Sequence, residues 1–281
     1  MRMIKRACLV ALYTVTAVTA TAREEDGRDW LNLPIWDEGL AEVCLYEGKM
    51  KKYGALRPFE LDVITVREHF DPEKLVKTRP AKGKETIPIM KVNIRRAVRT
   101  GVYKYVQMAS VFVDRRDAGL VKLSTVSSEW CGTSFALYED RPAADELFIH
   151  NYMDDRGSKR LTDAVPADVV FYDELVLWLR QHLDSLRVGE HKLRVAASLM
   201  NNSPAYRVHD AVIEPAAEQP KGAVALVLRW QGKREVFRFH GVGTRYLRRW
   251  ENDDGEFIRL RKRMMLDYWN RNAKGDEALL R

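Results

Sequence analysis

Cysteine is scarce in this chain, with Cys8, Cys44 and Cys131 the only three in 281 residues. No Cys-x-x-Cys, His-x-His or His-Glu-x-x-His spacing occurs, and His69, His150, His182, His191, His209 and His240 stand singly. No metal site is therefore expected. Gly-x-Ser-x-Gly and Ser-x-x-Lys are both missing, which removes the familiar serine-hydrolase signatures. The one glycine cluster, His240-Gly241-Val242-Gly243-Thr244, lacks the third glycine of a dinucleotide turn and the Gly-Lys-Ser/Thr of a phosphate loop. It reads as a turn between strands, and no cofactor is expected. Glycine (16) and proline (10) are near average usage and no internal repeat is present, so collagen-like and low-complexity architectures are excluded. There is also no apolar run of about 20 residues, the length a membrane-crossing helix needs. The chain is not expected to be an integral membrane protein.

What is present favours a packed core. Hydrophobic residues make up 46% of the chain and charged ones 31%, enough for one large domain or two small ones. The formal charge of +7 is a small excess of 47 basic over 40 acidic side chains. Part of it belongs to the first residues: Arg2, Lys5 and Arg6 precede an apolar stretch from Ala7 to Val18 and the small-residue site Ala20-Thr21-Ala22. This pattern predicts a cleavable signal peptide over 1–22 and a periplasmic or secreted protein. Cys8 opens the apolar stretch rather than following it, so no lipobox is read. Cleavage would leave Cys44 and Cys131, the smallest even set that can form a disulfide in an oxidising compartment. Cys131 as a nucleophile would need a base, and no histidine flanks it.

Beyond a leader over 23–40, in which Trp30, Leu31, Leu33, Ile35 and Trp36 suit a short docking segment, the dominant signal is period two. Met90, Val92 and Ile94 alternate with Lys91, Asn93 and Arg95. The same alternation runs through 61–65, 102–113, 121–125, 193–199, 223–230 and 237–239. Gln231-Gly232-Lys233 and Asn252-Asp253-Asp254-Gly255 read as hairpin turns, and Gly48–Tyr53 and Arg79–Glu85 as basic, loop-like connections. Tyr172, Leu175, Leu179, Leu183 and Leu186 repeat at helical spacing, predicting one helix over Phe171–Leu186 with Asp168 as N-cap and Gly189 as stop. A short second helix is read over Met264–Asn272. The expected fold is mainly β (β-dominated α+β), a large curved antiparallel sheet or open barrel with one covering helix. It forms a single domain over 41–272, with a polar tail over 273–281.

Two places invite a functional reading. Glu129-Trp130-Cys131-Gly132 packs a carboxylate, a large aromatic and a thiol between strand-like flanks, the composition of a bulge or strand end near a pocket or of a cross-strand Trp beside a buried Cys. The C-terminal hairpin gathers Arg245, Arg248, Arg249 and Arg261 among Tyr246, Trp250 and Phe257, a surface that suits phosphate headgroups or a polyanionic envelope polymer. Glu251, Asp253, Asp254 and Glu256 are its local counter-charges. Nucleic acid is not expected as a partner of an exported chain. The pairs Asp154-Asp155 and Asp253-Asp254 read as solvated turn carboxylates.

Tyr53-Gly54-Ala55-Leu56-Arg57, Lys91-Val92-Asn93, Thr100-Gly101-Val102-Tyr103-Lys104-Tyr105, Lys122-Leu123-Ser124 and Glu129-Trp130-Cys131-Gly132 together resemble a family of exported bacterial proteins of unknown function, over about Ala41 to Trp269. Some of its members carry the label septum formation inhibitor Maf. The chain has neither the Ser-x-Ser-Pro-Arg-Arg phosphate motif nor the αβ alternation of true Maf pyrophosphatases. The resemblance singles out Tyr103 and Tyr105 beside Glu129, Trp130 and Cys131 as ligand or partner residues. It weighs against the disulfide, because a cysteine at position 44 is not part of the pattern. The reading is an exported, non-enzymatic envelope protein that binds an apolar or amphipathic ligand, a lipid or another envelope component. A hydrolase with a site near Glu129 and Cys131, and a structural or assembly protein, are the alternatives.

Overall fold

The structure is a computed structural model that describes residues 29–153, 155–200 and 206–280. The signal-peptide reading of residues 1–22 lies outside them. The strands are β1 (Ala41–Lys52), β2 (Ala55–Asp71), β3 (Val76–Lys77), β4 (Ile87–Thr100), β5 (Tyr103–Asp114), β6 (Leu120–Glu129), β7 (Gly132–Glu139) and β8 (Glu146–Asn151). They continue as β9 (Gly157–Thr162), β10 (Val169–Phe171), β11 (His191–Ala196), β12 (Val208–Pro215), β13 (Ala223–Trp230), β14 (Lys233–His240), β15 (Leu247–Asn252) and β16 (Phe257–Leu266). Helices α1 (Leu175–Gln181) and α2 (Leu183–Leu186) connect β10 to β11.

All these strands join one sheet in the order β10 to β16, β1, β2, β4 to β9, with β3 hung on β2. Its two edges, β9 and β10, are not hydrogen-bonded to each other, so the sheet is not a closed barrel. Every pairing is antiparallel except β10 with β11, the pair that the helical crossover joins. Turn chemistry sets the hairpins: Tyr53-Gly54 (φ 51° and 74°) and Gln231-Gly232 (φ 52° and 69°) both carry positive φ at the two central positions, as a type I′ turn requires. Gly48 has a different reason to be glycine, since a Cβ there would stand 2.1 Å from the Phe257 carbonyl oxygen on β16.

The sheet curls around α1 and α2. Leu175, Leu179, Leu183 and Leu186 pack on β1, β2 and β11–β16, meeting Tyr46, Leu61, Leu226, Leu228, Phe237 and Phe239. The other half of the sheet, with Met90, Val111, Leu123 and Leu147, receives Trp30, Leu31 and Trp36 of the leader. A small outer cluster, Phe70, Leu75, Ile89, Phe112 and Val121, lies under the β2–β4 connection.

The leader thus plugs one end of the curl. Arg115, at the β5–β6 turn, donates to both Asp37 carboxylate oxygens (2.9 and 3.1 Å) and to the Leu31 carbonyl (2.9 Å). Arg180 of α1 reaches the same end, donating to Glu42 (2.6 Å) and the Thr244 carbonyl (3.0 Å) and lying 4.8 Å from the Trp30 ring. Burial would raise the Glu42 pKa, but Arg180, Thr244 and Arg263 outweigh it and hold the carboxylate ionised.

Four expectations are corrected. The helix starts at Leu175 and breaks at His182: Val169-Val170-Phe171 is a β-forming run that pairs with Arg194–Ala196. Asp168 pairs with Arg194 instead of capping the helix, while Gly189 (φ 72°) does follow its end. Met264–Asn272 is not helical, because β16 continues to Leu266 against Ala41 and only the turn Tyr268–Asn270 follows. Residues 48–52 belong to β1, fully paired with Ala55–Phe59. Finally, Cys44 and Cys131 are both free thiols. β2, β4 and β5 lie between their strands, far beyond the roughly 7 Å between Cα atoms that a disulfide spans.

Candidate functional site

Antiparallel order brings the β1–β2, β4–β5 and β6–β7 turns to the rim opposite the plug. Four of the residues singled out in the sequence meet there. Trp130 and Cys131 form the apex of the β6–β7 hairpin, closed by the Glu129–Gly132 pair. The Trp130 ring lies 6.0 Å from Tyr103, which lies 5.6 Å from Tyr105. Two residues the sequence reading did not assign to a site complete the cluster. The Tyr53 hydroxyl is 3.0 Å from that of Tyr103 and also hydrogen-bonds Tyr105, and Lys52 Nζ stands 4.2 Å from the Tyr105 ring centre. Burial, the two tyrosines and the Glu129 carboxylate together push the Tyr105 phenol far above its usual pKa. Gly132 is needed because Tyr152 covers it, its ring 2.4 Å from where a Cβ would stand.

The fifth residue, Cys131, points to no chemistry. Its thiol is exposed rather than buried beside a cross-strand Trp, because a two-residue hairpin apex has no strand partner. No base is hydrogen-bonded to it among the described residues. Glu129 is engaged with Tyr105.

The basic hairpin is also divided. Arg245 does not belong to an anion-facing surface: it donates to the Arg180 and Gln181 carbonyls (3.2 and 3.3 Å) at the C-terminus of α1 and pairs with Asp184. Arg249 donates to Glu251 (2.7 Å) and Arg261 to the Leu280 carbonyl (2.9 Å), while Arg248 is exposed.

A further opening lies elsewhere. A cleft of about 1100 Å³ separates β10–β12 from the β5–β6 and β7–β8 turns, with one face of α1 as its wall. Glu174, Trp178, Gln181 and His182 recur on that face at intervals of one and two helical turns, beside the leucine stripe. Apolar lining comes from Leu120, Tyr138, Val165, Phe171, Leu177 and Leu193. Glu174 accepts the Phe171 N–H (2.8 Å), blunting the free edge of β10. Burial, with Asp173 adding to it, pushes its carboxyl up to about 8, so it is largely protonated at neutral pH. Gln181 is 1% exposed and its Nε2 has no hydrogen-bond partner, which leaves a buried donor on the cleft wall. Asp140 is raised by burial and by Asp145 and Asp117. The sequence signal for this site was Glu174 and Gln181 two helical turns apart, masked by the stronger leucine repeat.

No helix among the described residues is long and apolar enough to cross a membrane, and none of their side chains form a metal-holding cluster. Comparison with protein-family models, curated proteins and solved structures finds no match to this chain.

Proposed function

We propose that the protein is an exported, non-enzymatic binding protein of the cell envelope that holds an amphipathic ligand in the cleft beside α1. The observation that carries this reading is the cleft itself. Its volume suits a small-molecule site, and its lining combines a broad apolar surface with a few convergent polar groups. The orphaned Gln181 amide and the Glu174 carboxyl supply the polar end, while Leu177, Phe171 and Leu193 supply the apolar one. Of the basic residues at the opening, Arg141 pairs with Glu139 and Arg194 with Asp168, which leaves Asp140, Asp145 and Asp210 against Lys192 alone and disfavours an anionic headgroup. The small space between the helix and the sheet interior, about 70 Å³, is too small for such a ligand, so the cleft rather than the curl's interior is the site.

Titrating the purified chain with the apolar fluorophore N-phenyl-1-naphthylamine tests the proposal. Saturable enhancement is expected, displaced by dodecyltrimethylammonium and weakened about fivefold or more by Ala144→Trp, which fills the opening from the β7–β8 turn. Absence of saturable binding, or binding indifferent to Ala144→Trp, would overturn it.

A further inference from the structure

The rim carries large apolar side chains in places where a folded protein in water gains nothing from them. The apices of three successive hairpins present Tyr53, Val102 and Trp130, exposed to 63%, 79% and 76%. Tyr152, 62% exposed, adjoins Trp130 through its contact with Gly132. An isolated exposed hydrophobe is ordinary, but a row of them on adjacent tips marks an interaction surface.

The charges around these tips indicate the partner. Lys52, Arg99 and Lys104 flank the apices, while Lys51 pairs with Asp254 of the neighbouring β15–β16 turn (3.6 Å), and Glu129 is the only carboxylate in segments 51–56, 99–104 and 128–133. That carboxylate is occupied by Tyr105. Arg99 and Lys104 are direct cross-strand neighbours, both exposed, and among the described residues neither meets a carboxylate. Like charges directly opposite destabilise a hairpin, and an anion lying against both would relieve the repulsion. Tyrosine and tryptophan at the tip with lysine and arginine behind it is the arrangement that suits the interface of a bilayer, where the rings sit at headgroup level and the cations meet phosphates.

We propose that the β1–β2, β4–β5 and β6–β7 tips dock on the surface of an anionic lipid bilayer, with Val102 and Trp130 entering the headgroup layer and Arg99 and Lys104 binding lipid phosphate. The docking leaves the cleft uncovered, since the plug and the cleft's turns lie away from the rim. It stands independently of what the cleft holds.

Co-sedimentation of the purified chain with vesicles tests it. Binding is expected to vesicles with about one third phosphatidylglycerol, weakly or not at all to phosphatidylcholine alone, and to fall as salt is raised. Trp130 emission should shift to the blue on binding. Val102→Asp with Trp130→Ser, and separately Arg99→Glu with Lys104→Glu, should each reduce binding about tenfold or more, with unchanged thermal melts showing that the fold is intact. Arg248→Glu with Arg249→Glu on the outer face of β15 should leave it unchanged. No binding to anionic vesicles, equal binding to neutral ones, or binding insensitive to the tip variants would overturn the proposal.

Discussion

The two ends of the curled sheet treat the same residue types in opposite ways. At the plugged end Trp30 and Trp36 are 1% exposed, packed edge to face at 5.1 Å, with Trp36 Nε1 donating to the Trp30 carbonyl and Arg180 laid over the Trp30 ring. At the rim Trp130 stands at the apex of a turn with its ring largely in solvent. Arginine divides in the same way. Arg180 and Arg115 are buried and fully occupied with Glu42, Thr244, Asp37 and Leu31, whereas Arg99 faces Lys104 in the open. One end has its charged groups and the Trp36 indole satisfied internally, with Trp30 Nε1 left without a partner, and serves stability. The other leaves Val102 and most of Trp130 in water and Arg99 opposite Lys104 without a carboxylate, which has a cost in water unless something outside the chain meets them.

Breaking the plugged end should have the largest effect. Glu42→Ala leaves Arg180 and Arg263 buried or half-buried without their carboxylate, and chemical denaturation should report a loss of about 3–5 kcal/mol. An undiminished midpoint would mean that the network contributes nothing net.

The cleft wall between the two ends should respond to pH. Glu174 is raised from its unfolded value of 4.5 to about 8, so the folded state favours the protonated carboxyl. Its contribution is complete below about pH 4.5 and is lost as pH rises through 8, a decline of order 4 kcal/mol or less. Thermal melts from pH 5 to pH 8.5 should fall for the native chain and stay nearer level for Glu174→Gln, which keeps the acceptor for Phe171. Parallel curves would show that Glu174 is not the titrating group.

Breaking the rim should cost least. Trp130→Ser removes a side chain that is mostly in water, and stability should change by no more than about 0.5 kcal/mol. A larger loss would place Trp130 with the structural tryptophans of the plug.

The strands were legible because their side chains alternate where one face packs on the core, as in Met90, Val92 and Ile94. The expected hairpins at Gln231-Gly232 and Asn252–Gly255 followed from turn chemistry alone. The misreadings share one cause: local pattern lost to pairing. Val169–Phe171 carries helical spacing with its downstream neighbours, yet a ladder with β11 is available to it. Met264–Leu266 could continue as helix, yet β1 offers Ala41–Val43. The rim cluster was half legible, since Glu129, Trp130, Tyr103 and Tyr105 stood out, while Tyr53 and Lys52 joined them only because β1–β2 and β4–β5 end at the same edge of one sheet.

The amino-acid sequence by itself determined the β-rich class, many of the strand and turn positions and the presence of a helical segment among the strands, because period, β-propensity and glycine at positive φ act over a few residues. Tertiary structure alone decided which tryptophans are buried, that Cys44 and Cys131 stay apart, that Arg245 caps a helix rather than facing an anion, and that one face of α1 looks into a cleft. Those outcomes depend on which strands become neighbours and on how strongly the sheet curls. Such distances are set between residues far apart in the chain, and no local pattern records them.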